Sequence, residues 1–390
     1  MRLCVAAGDL NRKMFEPVRV ERPDPDGSGL LSARAVQKLL ERHGSRIVLP
    51  SWSEITSLKS FSIESPVPEK PKHAIILVHG LQGKPEDLDY LQKVLWDANV
   101  DHSARVVVHA TKVNSGKTKD GIQAGGTRVA NDIMNFVRDH PELEEISVVG
   151  FSLGGIYARY AVGLLYNTQN NRVANLSPRT FITVASPNLG VRGFGVYRFF
   201  HENIQSTLSK VFAGRTGSEL FMADSSRPLL VQMSEDQPGL PFISALKSFQ
   251  KRVLYGNVQN DFMVSFGTAV LDPNIVGLKA NVTPPADAEI IDHEEDNLGC
   301  RVWFSSKPTT DDALAIGHGD SFEEVMSRRL RSIGWETVGV HFDGIFPAAH
   351  NLIIAKMRHE FEWVLFTRCG SRSVHHIVQR ILHQELDGTP

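Results

Sequence analysis

The segment Gly150-Phe151-Ser152-Leu153-Gly154-Gly155 places one serine between glycines two residues before it and two after it. A serine hydroxyl becomes a nucleophile only when a base takes its proton and nearby donors receive the charge that grows on the attacked oxygen. A tight strand-to-helix turn meets the second need, because the helix start points unpaired N–H groups at the serine. Glycines on both sides remove the side chains that would collide in such a turn. Three fixed residues of common type meet by chance roughly 0.1 times in a chain this long, so the surroundings decide. The apolar run 146–149 reads as the strand before the serine and 156–165 as the helix after it. A serine that merely caps a helix needs no glycine on both sides.

Two backbone donors are expected for the developing oxyanion. One is the N–H of Leu153, the residue after the nucleophile. The other is the N–H of Leu81, in the loop His79-Gly80-Leu81-Gln82-Gly83 that follows the apolar run AIILV. In such sites the acid and base follow the serine in the order Asp or Glu, then His. Asp261 lies just past the apolar run RVLYGNV and is the expected acid; its rival Asp224 follows no strand. His350 follows the last strand, TVGVHF, in a loop and is the expected base. His341 lies inside that strand, His293 and His318 lie in a polar stretch before it, and His375 and His376 are expected on the surface of a late helix.

These residues need a frame. Short apolar runs at 73–79, 104–110, 146–150, 180–185, 252–258 and 337–342 alternate with helical spacing at 85–99, 126–140, 152–166 and 241–249. Strand and helix alternating in this way predict an α/β protein with a mostly parallel sheet and helices on both faces. With the serine turn, the frame is that of the α/β-hydrolase fold, spanning 73–390. Two excursions interrupt it: about 186–240, read as a cap insertion over the carboxyl edge of the sheet, and about 270–334, read as a polar loop insertion. Residues 1–72, with prolines and charge runs, read as a partly disordered N-terminal extension holding one helix near 32–42. The turn Asp24-Pro25-Asp26-Gly27-Ser28-Gly29 has the start of a calcium loop, yet Ala35 stands where a bidentate Glu belongs. A solvated turn ahead of a helix suits it better.

Composition excludes several classes. Lys plus Arg number 42 against 44 Asp plus Glu, which supplies no basic field for nucleic acid. Three cysteines, Cys4, Cys300 and Cys369, form neither a CxxC pair nor a disulfide framework. Ser115-Gly116-Lys117-Thr118 has the end of a phosphate-binding loop, but Thr111 stands where its first Gly is required. Neither metal nor cofactor is called for. The N-terminus lacks a secretory pattern, no apolar stretch is long enough to span a membrane, and the expectation is an intracellular, cytoplasmic chain. On that footing the sequons at Asn175 and Asn281 are chance.

The segments ILVHGLQG, TKDGIQAGGTRVANDI, SVVGFSLGGIYARYAVG, FITVASPNLGV, LFMADSSRPLLVQM, FISALKSFQKRVLYGNVQNDFMVSFGTA and AHNLI occur in that order over about 73–357. This series resembles the eukaryotic serine esterase family, the lipase-like proteins that include yeast monoacylglycerol and phospholipid lipases. The resemblance implies Ser152 as nucleophile, Asp261 as acid and His350 as base, with ester bonds of lipids as the substrate class. The sequence departs from the family pattern at Asn188, where His is usual, and at Ser265, where Pro is common. Aromatic residues Phe194, Tyr197, Phe199 and Phe200 either line an acyl site, with peripheral membrane or lipid-droplet contact as a corollary, or fill the core of the cap. Alternatives to hydrolysis are acyl transfer by the same residues and a catalytically inactive fold kept for binding or scaffolding.

Overall fold

Residues 74–78 offer no polar face to solvent, so this stretch is stable only where both sides of a sheet are covered. The computed structural model places it so, with every residue of the strand buried. Described are residues 72–102, 106–199, 214–277, 289–290, 300–309, 319–342, 348–356 and 360–382. The calcium-loop-like turn, the helix expected near 32–42, His293 and His318 lie outside them.

In chain order the main elements are β1 (His73–Val78), α1 (Asp89–His102), β2 (Val106–Ala110), α2 (Ile122–Asp139), β3 (Glu145–Phe151), α3 (Leu153–Leu165) and β4 (Ser177–Val184). They continue with α4 (Phe242–Ser248), β5 (Lys251–Asn257), β6 (Glu289–Ile290), β7 (Cys300–Thr309), α5 (Phe322–Arg331), β8 (Trp335–Phe342) and α6 (Glu360–Leu382). The strands form an eight-stranded sheet in the order β6-β7-β8-β5-β4-β3-β1-β2. From β8 through β2 all neighbours are parallel, and β7 and β6 add an antiparallel edge.

The two-residue side-chain period of a strand divides β1 between two cores. Ala74, Ile76 and Val78 join Val129 and Ile133 of α2 and Ile156 and Tyr160 of α3. Ile75 and Leu77 join Leu91 and Leu95 of α1 and Val374, Ile377 and Ile381 of α6. Helices therefore cover both faces, and full burial of each such Ile or Leu contributes about 1.5–3 kcal/mol. Among the described residues no helix is long and apolar enough to cross a membrane.

The second excursion contributes β7, which pairs with β8, and α5, whose Met326 and Leu330 join the larger core cluster. A capping box starts α5: the Ser321 hydroxyl accepts the Glu324 N–H, and the Glu324 carboxylate accepts the Ser321 N–H. Polar residues such as Ser305, Ser306 and Lys307 interrupt any apolar period in β7, so its strand is not announced by pattern. In the first excursion, Phe194 is buried in the main core, and Tyr197 stands edge-on to Phe221 at 5.2 Å.

One expectation about α6 is overturned. His375 is exposed, but His376 is 3% exposed, with Nδ1 2.8 Å from the Tyr255 hydroxyl of β5. It shares the inward side of the helix with Ile377 and Ile381, because α6 packs broadly against the sheet. Burial first, then the charges of Arg380 and Lys251, push its pKa from the ordinary 6.5 down to about 3. The native state thus holds His376 neutral where the unfolded chain would protonate it, so its stability contribution is complete above pH 6.5 and is lost as pH falls toward 3. In urea titrations between pH 6.5 and 4, His376→Gln should flatten the fall in stability by up to one proton's worth, about 1.4 kcal/mol per pH unit. Equal slopes in the two proteins would contradict this.

Candidate active site

Strand β3 ends and α3 begins with only Ser152 between them. Its backbone takes φ +55° and ψ −129°, a conformation that L residues avoid, and its N–H donates to the Val184 carbonyl at 2.8 Å. The turn is tight enough to need its glycines. A Cβ on Gly150 would lie 2.3 Å from Gly155 Cα, and one on Gly154 would lie 2.1 Å from the Val78 carbonyl oxygen. The start of α3 therefore presses against the carboxyl end of β1, where the Gly80 loop begins.

Ser152 is 6% exposed. Its Oγ lies 3.0 Å from His350 Nε2, although the two are 198 residues apart in sequence. His350 Nδ1 lies 2.9 Å from Asp261 Oδ2. An ionised carboxylate only accepts, so Nδ1 carries the proton, and Nε2 is left to accept from the serine hydroxyl. His350 stands on a short helix, Ala349–Leu352, that follows β8. Its ring tilts over Phe151, the residue before the serine, with centroids 5.1 Å apart.

Asp261 follows β5 in a loop and is buried. Its Oδ1 accepts the N–H groups of Met263 at 3.0 Å and Val264 at 2.9 Å, while Oδ2 accepts the Asn257 side-chain amide at 2.7 Å. These donors orient the carboxylate toward His350. The structure thus brings together Ser152, His350 and Asp261 and leaves the rivals among the described residues elsewhere. Asp224 caps a short helix by accepting the Leu229 N–H, and His341 lies beside Gln259 at 3.2 Å.

Of the two residues expected to donate, Leu153 directly follows the serine, and Leu81 directly follows Gly80. Leu153 opens α3, and Gly80 lies so close that a Cβ there would sit 2.8 Å from Ser152 Cβ. In the Gly80 loop, the Gln82 N–H donates to Thr118 Oγ1 and the Gly83 N–H to the Gly80 carbonyl. The intervening Leu81 N–H has no acceptor among the described residues. His79 is buried, and burial holds its pKa below the usual imidazole value.

Several supporting residues carry no sequence signal of their own. Asn257, the last residue of β5, is one ordinary amide among many. Asp87 and Lys356 form a buried ion pair at 2.8 Å, joining the loop after Gly80 to the segment after His350. Lys356 Nζ also lies 5.9 Å from the Phe151 ring centre. Arg159 of α3 is buried, donates to the Asn188 and Leu230 carbonyls, and is pushed down to about 10 by desolvation. Asn188, at the position where the family pattern has His, donates its amide to Thr183 Oγ1 and the Ala269 carbonyl. At the other departure, Ser265 is buried and its Oγ has no hydrogen-bond partner among the described residues.

A parallel sheet with helices on both faces, and a strained serine at one strand's carboxyl end, defines an α/β-hydrolase. The chain belongs to the family described as "Putative serine esterase", whose pattern matches residues 68–273. A putative lipase of Schizosaccharomyces pombe is 31% identical over 241 residues, covering 59% of this chain and 30% of the relative. The putative lipase ROG1 of Saccharomyces cerevisiae is 33% identical, covering 55% of this chain and 30% of its own length. The chain thus spans about three tenths of these curated relatives. Among solved structures, the phospholipase PlaB of Legionella pneumophila aligns over 48% of this chain and 38% of its own, at 15% identity and a TM-score of 0.32.

The glycine requirement is open to test. Gly154→Ala drives a methyl group into the Val78 carbonyl and should cost about 1–3 kcal/mol of stability, as overpacking does. Thermal or urea unfolding at wild-type stability would contradict so close a contact.

Proposed function

We propose that the chain is a serine hydrolase of carboxylic esters, with lipid esters as its substrate class. The observation that carries the reading is the hydrogen-bonded row from Ser152 through His350 to Asp261, set beside the Gly80 loop. Ser152 Oγ attacks the acyl carbonyl as His350 Nε2 takes its proton. Asp261 keeps the proton on Nδ1 and stabilises the imidazolium that forms. The Leu81 and Leu153 N–H groups receive the oxyanion of the tetrahedral intermediate. The imidazolium then protonates the leaving alcohol, and an acyl-serine remains. Water, deprotonated by His350, attacks that ester, and as its C–O bond breaks the imidazolium returns the proton to Ser152 Oγ and the acid is released.

The lipid part of the reading rests on family membership and on relatives named as putative lipases. Phe194 does not contribute an acyl-binding surface, since it is buried in the core. The segment 186–240 is proposed as the cap, and Tyr197 is one of its residues close enough to Asp261 to feel its charge. Burial, and to a lesser degree the charge of Asp261, raise the pKa of that tyrosine.

A fluorophosphonate probe should label the full chain and fail to label Ser152→Ala; labelling that survives the substitution removes Ser152 as nucleophile. Asp261→Asn should lower kcat by roughly 10⁴-fold, the effect of offering the wrong imidazole tautomer. Across p-nitrophenyl esters of rising acyl length, turnover should increase toward longer chains. Fastest turnover on acetate would sink the lipid reading and leave a short-chain esterase.

A further inference from the structure

Lys112, Lys117 and Lys119 stand in the loop that follows β2, a stretch the reaction leaves unused. Strand β2 is parallel to β1, and β1 to β3, so this loop leaves the sheet at the same edge as the Gly80 loop and Ser152. It touches the Gly80 loop twice. Ser115 Oγ lies 3.5 Å from His79 Nε2, and Thr118 Oγ1 accepts the Gln82 N–H at 2.9 Å. At Gly116, where φ is +73°, a Cβ would meet nothing within 4 Å, so this turn stands free of its surroundings.

The loop is nevertheless held in shape by two helices. Arg128 of α2 donates through Nε to Asn114 Oδ1 at 2.7 Å and through Nη2 to the Lys117 carbonyl at 2.9 Å. Asn114 donates its amide to the Gly125 carbonyl at 3.1 Å, and the Tyr157 hydroxyl of α3 donates to the Thr118 carbonyl at 3.0 Å. Asn114 and Thr118 are buried, whereas all three lysines are exposed. The acids nearby are already engaged. Asp120 pairs with Arg128 at 3.0 Å, and Glu219 with Arg215 at 3.0 Å. Asp132, close enough to Lys112 to feel its charge, is held by His109 at 2.7 Å. Among the described residues no salt bridge joins Lys112, Lys117 or Lys119 to an acid.

We propose that this loop docks the catalytic edge onto an anionic lipid bilayer, its three ammonium groups lying against the headgroups. The choice of a bilayer rests on the lipid-ester reading above, because such substrates reside in that surface. A lysine beside an anionic bilayer gains about fivefold in partition, so three gain about a hundredfold. The attraction reaches only about a Debye length, roughly 10 Å at 0.1 M salt. Because the loop is fixed against the Gly80 loop, docking through it brings the bilayer to that side of the nucleophile.

Vesicle sedimentation reads the docking, with the full chain carrying Ser152→Ala so that no lipid is turned over. Phosphatidylcholine vesicles with added phosphatidylserine should bind the chain well, and pure phosphatidylcholine vesicles weakly. Lys112→Ala, Lys117→Ala and Lys119→Ala combined should lower partition onto the mixed vesicles roughly a hundredfold. Raising salt from about 0.1 to 1 M, which shortens the Debye length to about 3 Å, should lower it likewise. If the triple variant fails to fold, the single substitutions replace it, each losing about fivefold. With Ser152 restored, the triple variant should be labelled by fluorophosphonate at the wild-type rate; a lower rate would place the lysines in the reaction and overturn the docking role. Equal partition onto neutral and mixed vesicles would overturn it too, as would equal partition of the triple variant and the unsubstituted loop. Polyglutamate bound more tightly than the mixed vesicles would reassign the loop to an acidic protein and overturn it as well. Absence of labelling in the wild type would instead overturn the esterase reading, a result on which the vesicle measurement does not depend.

Discussion

The backbone of Ser152 is the constraint around which the rest of the site is arranged. A non-glycine residue at φ +55° costs of the order of 1–3 kcal/mol, and local structure does not offset that. It persists because β3 and α3 are both buried, and because their ends are hydrogen-bonded in place: Ser152 N–H to Val184, and Gly155 N–H back to Ser152. Relaxing the turn would withdraw either the strand from the centre of the sheet or the helix from the core above it. The strain is therefore carried by hydrophobic burial many residues away. In return, the serine hydroxyl stands clear of its own backbone and within reach of a histidine from the other end of the chain.

The same logic of crowding extends to the Gly80 loop. With Gly154 lying against the end of β1 and Gly80 against Ser152, the nucleophile and its nearest backbone amides form one close-packed unit. Asp261 comes from a loop after β5 and His350 from a short helix after β8, strands that are neighbours in the sheet although 89 residues separate the two side chains. A parallel sheet collects the ends of its strands on one edge, so distance along the chain is no obstacle there.

How much of this was legible depended on whether a residue's role is written locally. The six parallel strands showed themselves as short apolar runs because both of their faces are covered, and Ser152 showed itself because the turn demands glycines at fixed offsets. Asp261 and His350 could be nominated from their positions after strands, with rivals that only three-dimensional placement separates. Strand β7 was not legible. Its few apolar residues are mixed with serines and a lysine, and its place is set by pairing with β8 rather than by a period of its own. His376 was misread for a related reason: two adjacent histidines point in different directions on a helix, and only packing decides which one faces inward. Asn257, only four residues before Asp261, is an amide that nothing in its type sets apart, while Thr118 and the pair Asp87 and Lys356 left no trace in the sequence because their partners lie far away in the chain.

That last pair gives the site an unusual response to heat. Asp87 and Lys356 are both nearly excluded from water, and they tie the segment carrying His350 to the loop carrying Leu81. The penalty for stripping water from two charges falls as temperature rises, while apolar burial gains little more per unit of area. The connection between the His350 segment and the Gly80 loop should therefore hold its strength on warming better than the apolar contacts around it.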